Sequence, residues 1–293
     1  MARRRNDGPD GLVVIDKPAG WTSHDVVAKL RGVLGTRRVG HAGTLDPDAT
    51  GVLLVGVGRV TRLLRFLTAL PKTYVGEIVL GVETDTLDAA GEVTFTHDMG
   101  GVTVERARAV AAQHLTGDIL QIPPMVSAIK IDGKRLHELA RQGIEVEREA
   151  RPVTVHDFSL HEVPGDEAVL LAGVQCSSGT YVRTLAADLG HLLGGGAHLR
   201  DLRRTAIGSF GLDEAGSIEE PALLSPAEAM RDLISLTVDA EQAIKVSHGQ
   251  RLDLDSDGPG PWAVLDSEGG LLAVFERVDG RVKPAVVIRP AST

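Results

Sequence analysis

Apolar and polar positions along the chain change period several times, and each change marks an element. "GLVVIDKPAG", from Gly11, is a short apolar run closed by Lys17-Pro18, the pattern of a strand ending in a turn. In "TSHDVVAKLRGVLG", Val26, Val27, Leu30 and Val33 recur at helical spacing, with Thr22 or Ser23 as N-cap and Gly35 as the stop. "GVLLVGVGRVTRLLRFLTAL" passes from strand-like to helix-like pattern, and "KTYVGEIVLG" alternates Tyr74, Gly76, Ile78 and Leu80 against Val75, Glu77 and Val79, as a strand does. A further helix is predicted in "TVERARAVAAQHLTG", where Val104, Ala107, Val110, Ala111 and Leu115 share a face and Gly117 ends it.

Beyond this the pattern is more broken. The double proline of "IPPMVSAIKIDGKRLHELARQG" bars a helix locally, and a basic helical turn is expected from Arg135 to Arg141. "AVLLAGVQCSSGTYVRTLAADLGHLLGGGAH" couples a buried strand to a turn and then to a helix bearing Leu185, Leu189 and Leu192. Ser225-Pro226-Ala227-Glu228 has the form of a capping box with proline at the first helical position, so another helix is expected there. From about Ala240 short strands separated by Gly, Pro and Asp clusters predict a small all-β module, with "DLDSDGPGP" as a surface turn. Strands and helices alternate without a strict βαβ rhythm, which points to an α+β fold.

Composition narrows the class. The 293 residues are 43% hydrophobic and 24% charged, values of a globular chain with a real core. No apolar run approaches the roughly 20 residues of a bilayer-spanning helix, and "MARRRNDGPDG" lacks the apolar middle of a signal peptide, so a cytoplasmic location without membrane attachment is expected. Cys176 is the single cysteine, which excludes an intramolecular disulfide; its apolar run predicts a buried thiol. The net charge of −9 argues at first against a polyanionic partner. Residues 1 to 80, however, carry twelve Lys and Arg against seven Asp and Glu, whereas residues 212 to 293 carry seven against fifteen. The N-terminal part can therefore face RNA.

The most distinctive stretch is "GHAGTLDPDATGVLLVGVGR", Gly40 to Arg59. Asp46, directly before a proline, fits a turn residue, a metal ligand or a catalytic carboxylate. Asp48, two residues on, could mimic a glycosidase-like carboxylate pair, but in an extended segment their separation is set by the backbone, too inflexible a basis for acid and base roles; His41 has no companion His cluster or patterned acidic loop. "ETDTLDAAGE" does not match a calcium loop, and neither a P-loop nor a dinucleotide fingerprint occurs. The loop alone leaves the role of Asp46 open. Tyr74 and Tyr181 are the only tyrosines, and both lie outside plain apolar stripes.

Four motifs in order, "GHAGTLDPDATGVLLVGVG", "KTYVGEIVLGVETDTLDAAGEV", "QIPPMVSAIKIDGKRLHELARQG" and "CSSGTYVRTLAADLGHLLGGGAHLRDLRRTAIGSF", closely resemble the bacterial TruB family of tRNA pseudouridine synthases, from about Gly11 to Phe210. Ala42, Thr44 and His137 depart from the residues common in that family. The resemblance implies an α+β pseudouridine synthase fold with a central mixed, largely antiparallel sheet flanked by helices. It divides the chain into a basic tail over 1–10, a catalytic domain over 11–235 with an RNA-binding thumb-like segment at about 120–150, and a small PUA-like β module over 240–293. It implies isomerisation of the uridine at position 55 in the T-loop of tRNA, with no cofactor or metal and no protein partner, by a monomer. In that reading Asp46 is the catalytic carboxylate, Arg183 pairs with it, and Tyr74 stacks on the flipped uracil and removes the C5 proton. Tyr181 and Leu202 line the pocket, and His41 fills the space that the extruded base leaves. Among the basic residues Lys17, Arg37, Arg38, Arg59, Lys130, Lys134, Arg135, Arg141, Arg203 and Arg204, a subset contacts the T-arm backbone. An RNA-guided relative and a non-catalytic tRNA-binding module are the rival readings.

Overall fold

The computed structural model describes residues 8–127, 130–131, 134–136, 142, 144, 146–252 and 258–288, so the expected basic tail lies almost wholly outside the described residues. In chain order the first half contains β1 (Gly11–Lys17), α1 (Ser23–Val33), β2 (Val39–Ala42), β3 (Thr50–Val57), α2 (Leu64–Ala69), β4 (Lys72–Leu80), β5 (Val82–Thr84), β6 (Val93–Thr96), α3 (Val104–His114), β7 (Gly117–Gln121), β8 (Lys130–Ile131) and β9 (Lys134–Arg135). The second half contains β10 (Arg151–Val163), β11 (Asp166–Cys176), α4 (Val182–Leu192), β12 (Ala197–Ile207), β13 (Phe210–Gly211), β14 (Ile234–Thr237), α5 (Ala240–Ser247), β15 (Trp262–Leu265), β16 (Leu271–Val278) and β17 (Arg281–Val287). The chain is thus of the mixed helix-and-sheet class expected. It forms two compact units, one of Met1–Pro47, Gly51–Thr68 and Ile207–Thr293, the other of Asp48–Thr50 and Ala69–Ala206.

In the first unit β1 and β2 both lie antiparallel to β3, with Gly11 and Val39 each opposite Val57. α1 starts where the pattern predicts: the Thr22 hydroxyl accepts from Asp25 N–H, and the Asp25 carboxylate returns the bond to Thr22 N–H. Val26, Val27 and Leu30 bury against Val13, Ile15, Leu53 and Val55, each burial contributing about 1.5–3 kcal/mol, whereas Val33 at the end of the stripe turns out to solvent. The C-terminal sheet of this unit runs β14-β15-β16-β17, with β14 parallel to β15 and the rest antiparallel, around a core of Trp262, Phe275, Val264 and Leu272.

Two expectations in this unit need correction. Residues 240–247 are helical rather than part of a purely β module, because Asp239 caps α5 and forms a reciprocal box with Gln242. The box at Ser225 does form, with Glu228, but it opens only a three-residue 3₁₀ turn, Glu228–Met230. Tertiary bonds stop it: Arg231 is drawn back onto Glu214, Ser209 and the face of Phe210, and Asp232 accepts from Ser209 N–H.

The second unit is built on the strand order β12-β4-β11-β10-β7. The registers of β4 with β11, β11 with β10 and β10 with β7 are antiparallel, and Tyr74 stands opposite Val174 and Lys72 opposite Cys176. α3, capped by Thr103, packs on β10. Arg135 is paired with Lys130 in the β8–β9 hairpin, so the expected basic helical turn starts one residue later, at Leu136, which is helical; residues 137–141 lie outside the described residues.

Candidate active site

The Asp46 loop leaves β2 at Ala42 through Gly43, whose φ of +87° suits a residue without Cβ. The residues on either side of Asp46 are both fastened. Leu45 N–H donates to Ser23 Oγ at 2.9 Å, and Ser23 Oγ donates back to the Leu45 carbonyl at 3.3 Å. The Pro47 carbonyl accepts from Lys17 Nζ at 2.9 Å and from Gly20 N–H at 2.9 Å. Asp46 itself is half-buried, on a backbone fastened on both sides. His41, the last but one residue of β2, is half-buried with its ring edge-on to His24 at 5.2 Å.

Lys17 is the main correction among the expected RNA contacts. It is 0% exposed, and its ammonium donates to the carbonyls of Pro18 and Trp21, both at 2.8 Å, and to that of Pro47. A cation so enclosed cannot meet a phosphate. The last pleat of β1 turns the side chain inward, and the following turn wraps carbonyls around it, so the charge serves the loop. Arg204 is likewise buried, and Arg59 is held by Asp10 and the Ile288 carbonyl. Arg37 and Arg38 remain exposed. The side chains of Lys130, Lys134, Arg135 and Arg141 lie outside the described residues.

In the second unit Tyr74 projects from β4 at 9% exposure. Half-buried Leu202 sits on β12, which runs beside β4 at Gly76: a Cβ there would stand 3.5 Å from Leu202 Cα, an ordinary contact. Arg183, in the first turn of α4, is only 4% exposed. Its guanidinium donates to the carbonyls of Thr86 at 2.9 Å and Val126 at 3.0 Å, and lies 3.3 Å from the Asp88 carboxylate. Asp88 is fixed in turn by the Thr86 hydroxyl at 2.6 Å and by Ala90 N–H. A buried cation needs such partners, because an unpaired one would carry a large desolvation penalty. Tyr181 is the N-cap residue of α4, and the amide of Gln121 pairs with its backbone. Arg203 donates to the Thr50 hydroxyl at 3.2 Å.

Asp88, Thr86 and Gln121 were not singled out from the sequence, although "ETDTLDAAGE" and "QIPP" contain them. Their partners are remote in the chain, and neither hydrophobic period nor local spacing reports such pairs.

Cys176 is buried as expected, and burial pushes its thiol up to about 11, well away from a nucleophile's range. Across the ladder Lys72 is brought down to about 8, chiefly by burial and then by the Arg204 charge. Among the described residues no group of three or more His, Cys, Asp or Glu could hold a metal ion.

Comparison with known proteins places the chain in one family. Residues 31–182 match the N-terminal domain of TruB family pseudouridylate synthases, residues 183–234 the tRNA pseudouridylate synthase B C-terminal domain, and residues 235–289 the C-terminal region of tRNA pseudouridine synthase II. The chain is 48% identical to tRNA pseudouridine synthase B of Streptomyces griseus subsp. griseus, covering 95% of this chain and 97% of that one. It is also 48% identical to the Nocardia farcinica protein of the same name, covering 98% and 96%. In fold it is similar to a chain in the crystal structure of a Cbf5-Nop10-Gar1 complex, with a TM-score of 0.73 and 24% identity over 96% of this chain and 85% of that one. The chain belongs to the TruB family of pseudouridylate synthases.

Proposed function

We propose that this protein converts the uridine at position 55 in the T-loop of tRNA into pseudouridine. The observation that carries the reading is the Asp46 loop: a half-buried carboxylate between two residues pinned by Ser23 and by the buried Lys17 ammonium, in a chain of this family. The isomerisation conserves atoms. The N1–C1′ bond breaks, the uracil turns, C5 bonds to C1′, the C5 proton leaves and N1 ends protonated. A carboxylate suits the central step because it can attack, or accept a proton, and then leave again.

Asp46 supplies that carboxylate, and Arg183 keeps it ionised. Tyr74 stacks on the flipped uracil and its hydroxyl takes the C5 proton; Tyr181 and Leu202 complete the pocket, and His41 occupies the gap in the T-loop stack. Lys130 and Arg135 contact the T-arm backbone, with the exposed Arg37 and Arg38. Residues 11–235 form the catalytic domain, and the sheet over 240–293 acts as a PUA-like module. The enzyme works as a monomer in the cytoplasm, where its substrate is. Among the described residues no helix is long and apolar enough to cross a membrane.

The purified protein, given an unmodified tRNA transcript and nothing else, should place pseudouridine at position 55, mapped by chemical modification and primer extension. A requirement for a guide RNA or an added protein would overturn the stand-alone reading. Binding without product would leave only a tRNA-binding module.

A further inference from the structure

Gln121 ends β7 with its side chain 98% withdrawn from solvent. Its amide meets both backbone polar groups of one residue on another element: Oε1 accepts from Tyr181 N–H at 2.7 Å, and Nε2 donates to the Tyr181 carbonyl at 3.1 Å. The pairing imitates one rung of a β-ladder. Its direction is fixed by chemistry, since a backbone N–H can only donate and a carbonyl can only accept. Tyr181 is the N-cap residue of α4 and makes no capping bond with its own side chain, so that side chain does not fix where the helix starts. Arg183, two residues on, has three anchors of its own in Thr86, Asp88 and Val126. The consequence of losing Gln121 therefore falls on Tyr181.

We propose that Gln121 is a positioning residue for pseudouridine formation: it holds the Tyr181 backbone so that the Tyr181 ring is placed against the uridine before RNA arrives. This rests on the reading above that Tyr181 lines the pocket. Neither half of the pairing is dispensable. A glutamate at 121 keeps the acceptor but turns a second oxygen toward the Tyr181 carbonyl, a methionine of similar shape keeps neither bond, and an asparagine is one methylene too short. A ring carried on a backbone free to shift by about an ångström loses the alignment on which turnover depends.

The test compares wild type, Gln121→Met, Gln121→Glu, Tyr181→Ala and the Gln121→Met/Tyr181→Ala double variant. Single-turnover rates are measured on saturating unmodified tRNA, tRNA affinity by filter binding, and folding by thermal melting. Gln121→Met is expected to lower the rate about tenfold while tRNA affinity stays within about threefold, and Gln121→Glu to fall between it and wild type. In the Tyr181→Ala background the same change is expected to cost less than about twofold, because the ring that it positions is gone. A Gln121→Met rate equal to wild type overturns the proposal, and so does a loss that persists in full beside Tyr181→Ala. If Gln121→Met does not fold, Gln121→Glu carries the same comparison. Wild-type protein that forms no pseudouridine in this assay overturns the functional reading and this role with it; an active wild type with unaffected variants strikes only the role of Gln121.

Discussion

The buried ammonium of Lys17 donates to the Pro47 carbonyl at 2.9 Å, which joins the end of β1 to the residue that follows Asp46. The same ammonium holds the carbonyls of Pro18 and Trp21, so a single charge organises two turns. Lys17→Met preserves length but removes these bonds, so the Pro18 and Trp21 carbonyls lose the ammonium while Pro47 keeps Gly20. Urea denaturation should show a loss of roughly 3 kcal/mol, and turnover should fall in the folded fraction. Unchanged stability would contradict an anchoring role.

Asp88 stands to Arg183 as Lys17 stands to the loop: it places a counter-charge 3.3 Å from a guanidinium that is almost fully enclosed. Asp88→Ala should cost about 2–3 kcal/mol, less than for a fully buried pair because the carboxylate is partly solvated. Turnover should drop tenfold or more with little change in tRNA affinity. Wild-type turnover in this variant would show that Asp88 is not needed to orient Arg183.

Tyr74→Phe keeps the ring and deletes the hydroxyl. If the hydroxyl takes the C5 proton, single-turnover rates should fall by about tenfold or more while tRNA binding stays near wild type. Equal rates would restrict Tyr74 to stacking.

Lys72 and Cys176 face each other across the β4–β11 ladder, and both are shifted toward their neutral forms. For Lys72, brought down to about 8, the unfolded chain binds the extra proton between pH 8 and its ordinary range, so this group makes stability rise with pH there. For Cys176, raised to about 11, the folded chain keeps the proton that the unfolded chain gives up above about pH 9, so stability is lost as pH rises from there. Cys176→Ala should therefore remain active at neutral pH and lose less stability than wild type between pH 9 and 11, by roughly 2 kcal/mol at the upper end. Parallel stability curves for the two proteins would contradict this.

Much of this fold could be read from local signals, because those signals have local causes. Thr22 with Asp25 and Thr103 ahead of Val104 mark helix starts through bonds that span three residues, and the alternation in β4 follows from one buried face. α5 is masked in the sequence because Asp239 and Gln242 sit beside a Gly- and Pro-rich stretch that dominates the pattern. Ser225 shows the reverse, a correct local box that tertiary bonds through Arg231 cut short. The candidate site divides in the same way. Motif order singles out Asp46, Tyr74, Tyr181 and Arg183. That Lys17 lies under the loop, and that Asp88 and Gln121 support α4, depends on residues distant in sequence, which neither charge nor periodicity connects.

If the carboxylate of Asp46 carries out the chemistry, its charge is indispensable. Asp46→Asn retains the shape and size of the side chain and removes its charge. With unmodified tRNA transcript, wild type should convert the position-55 uridine to completion. The variant should form no detectable product while binding tRNA within about tenfold of wild type. Product formation by Asp46→Asn at a rate near wild type would contradict the account.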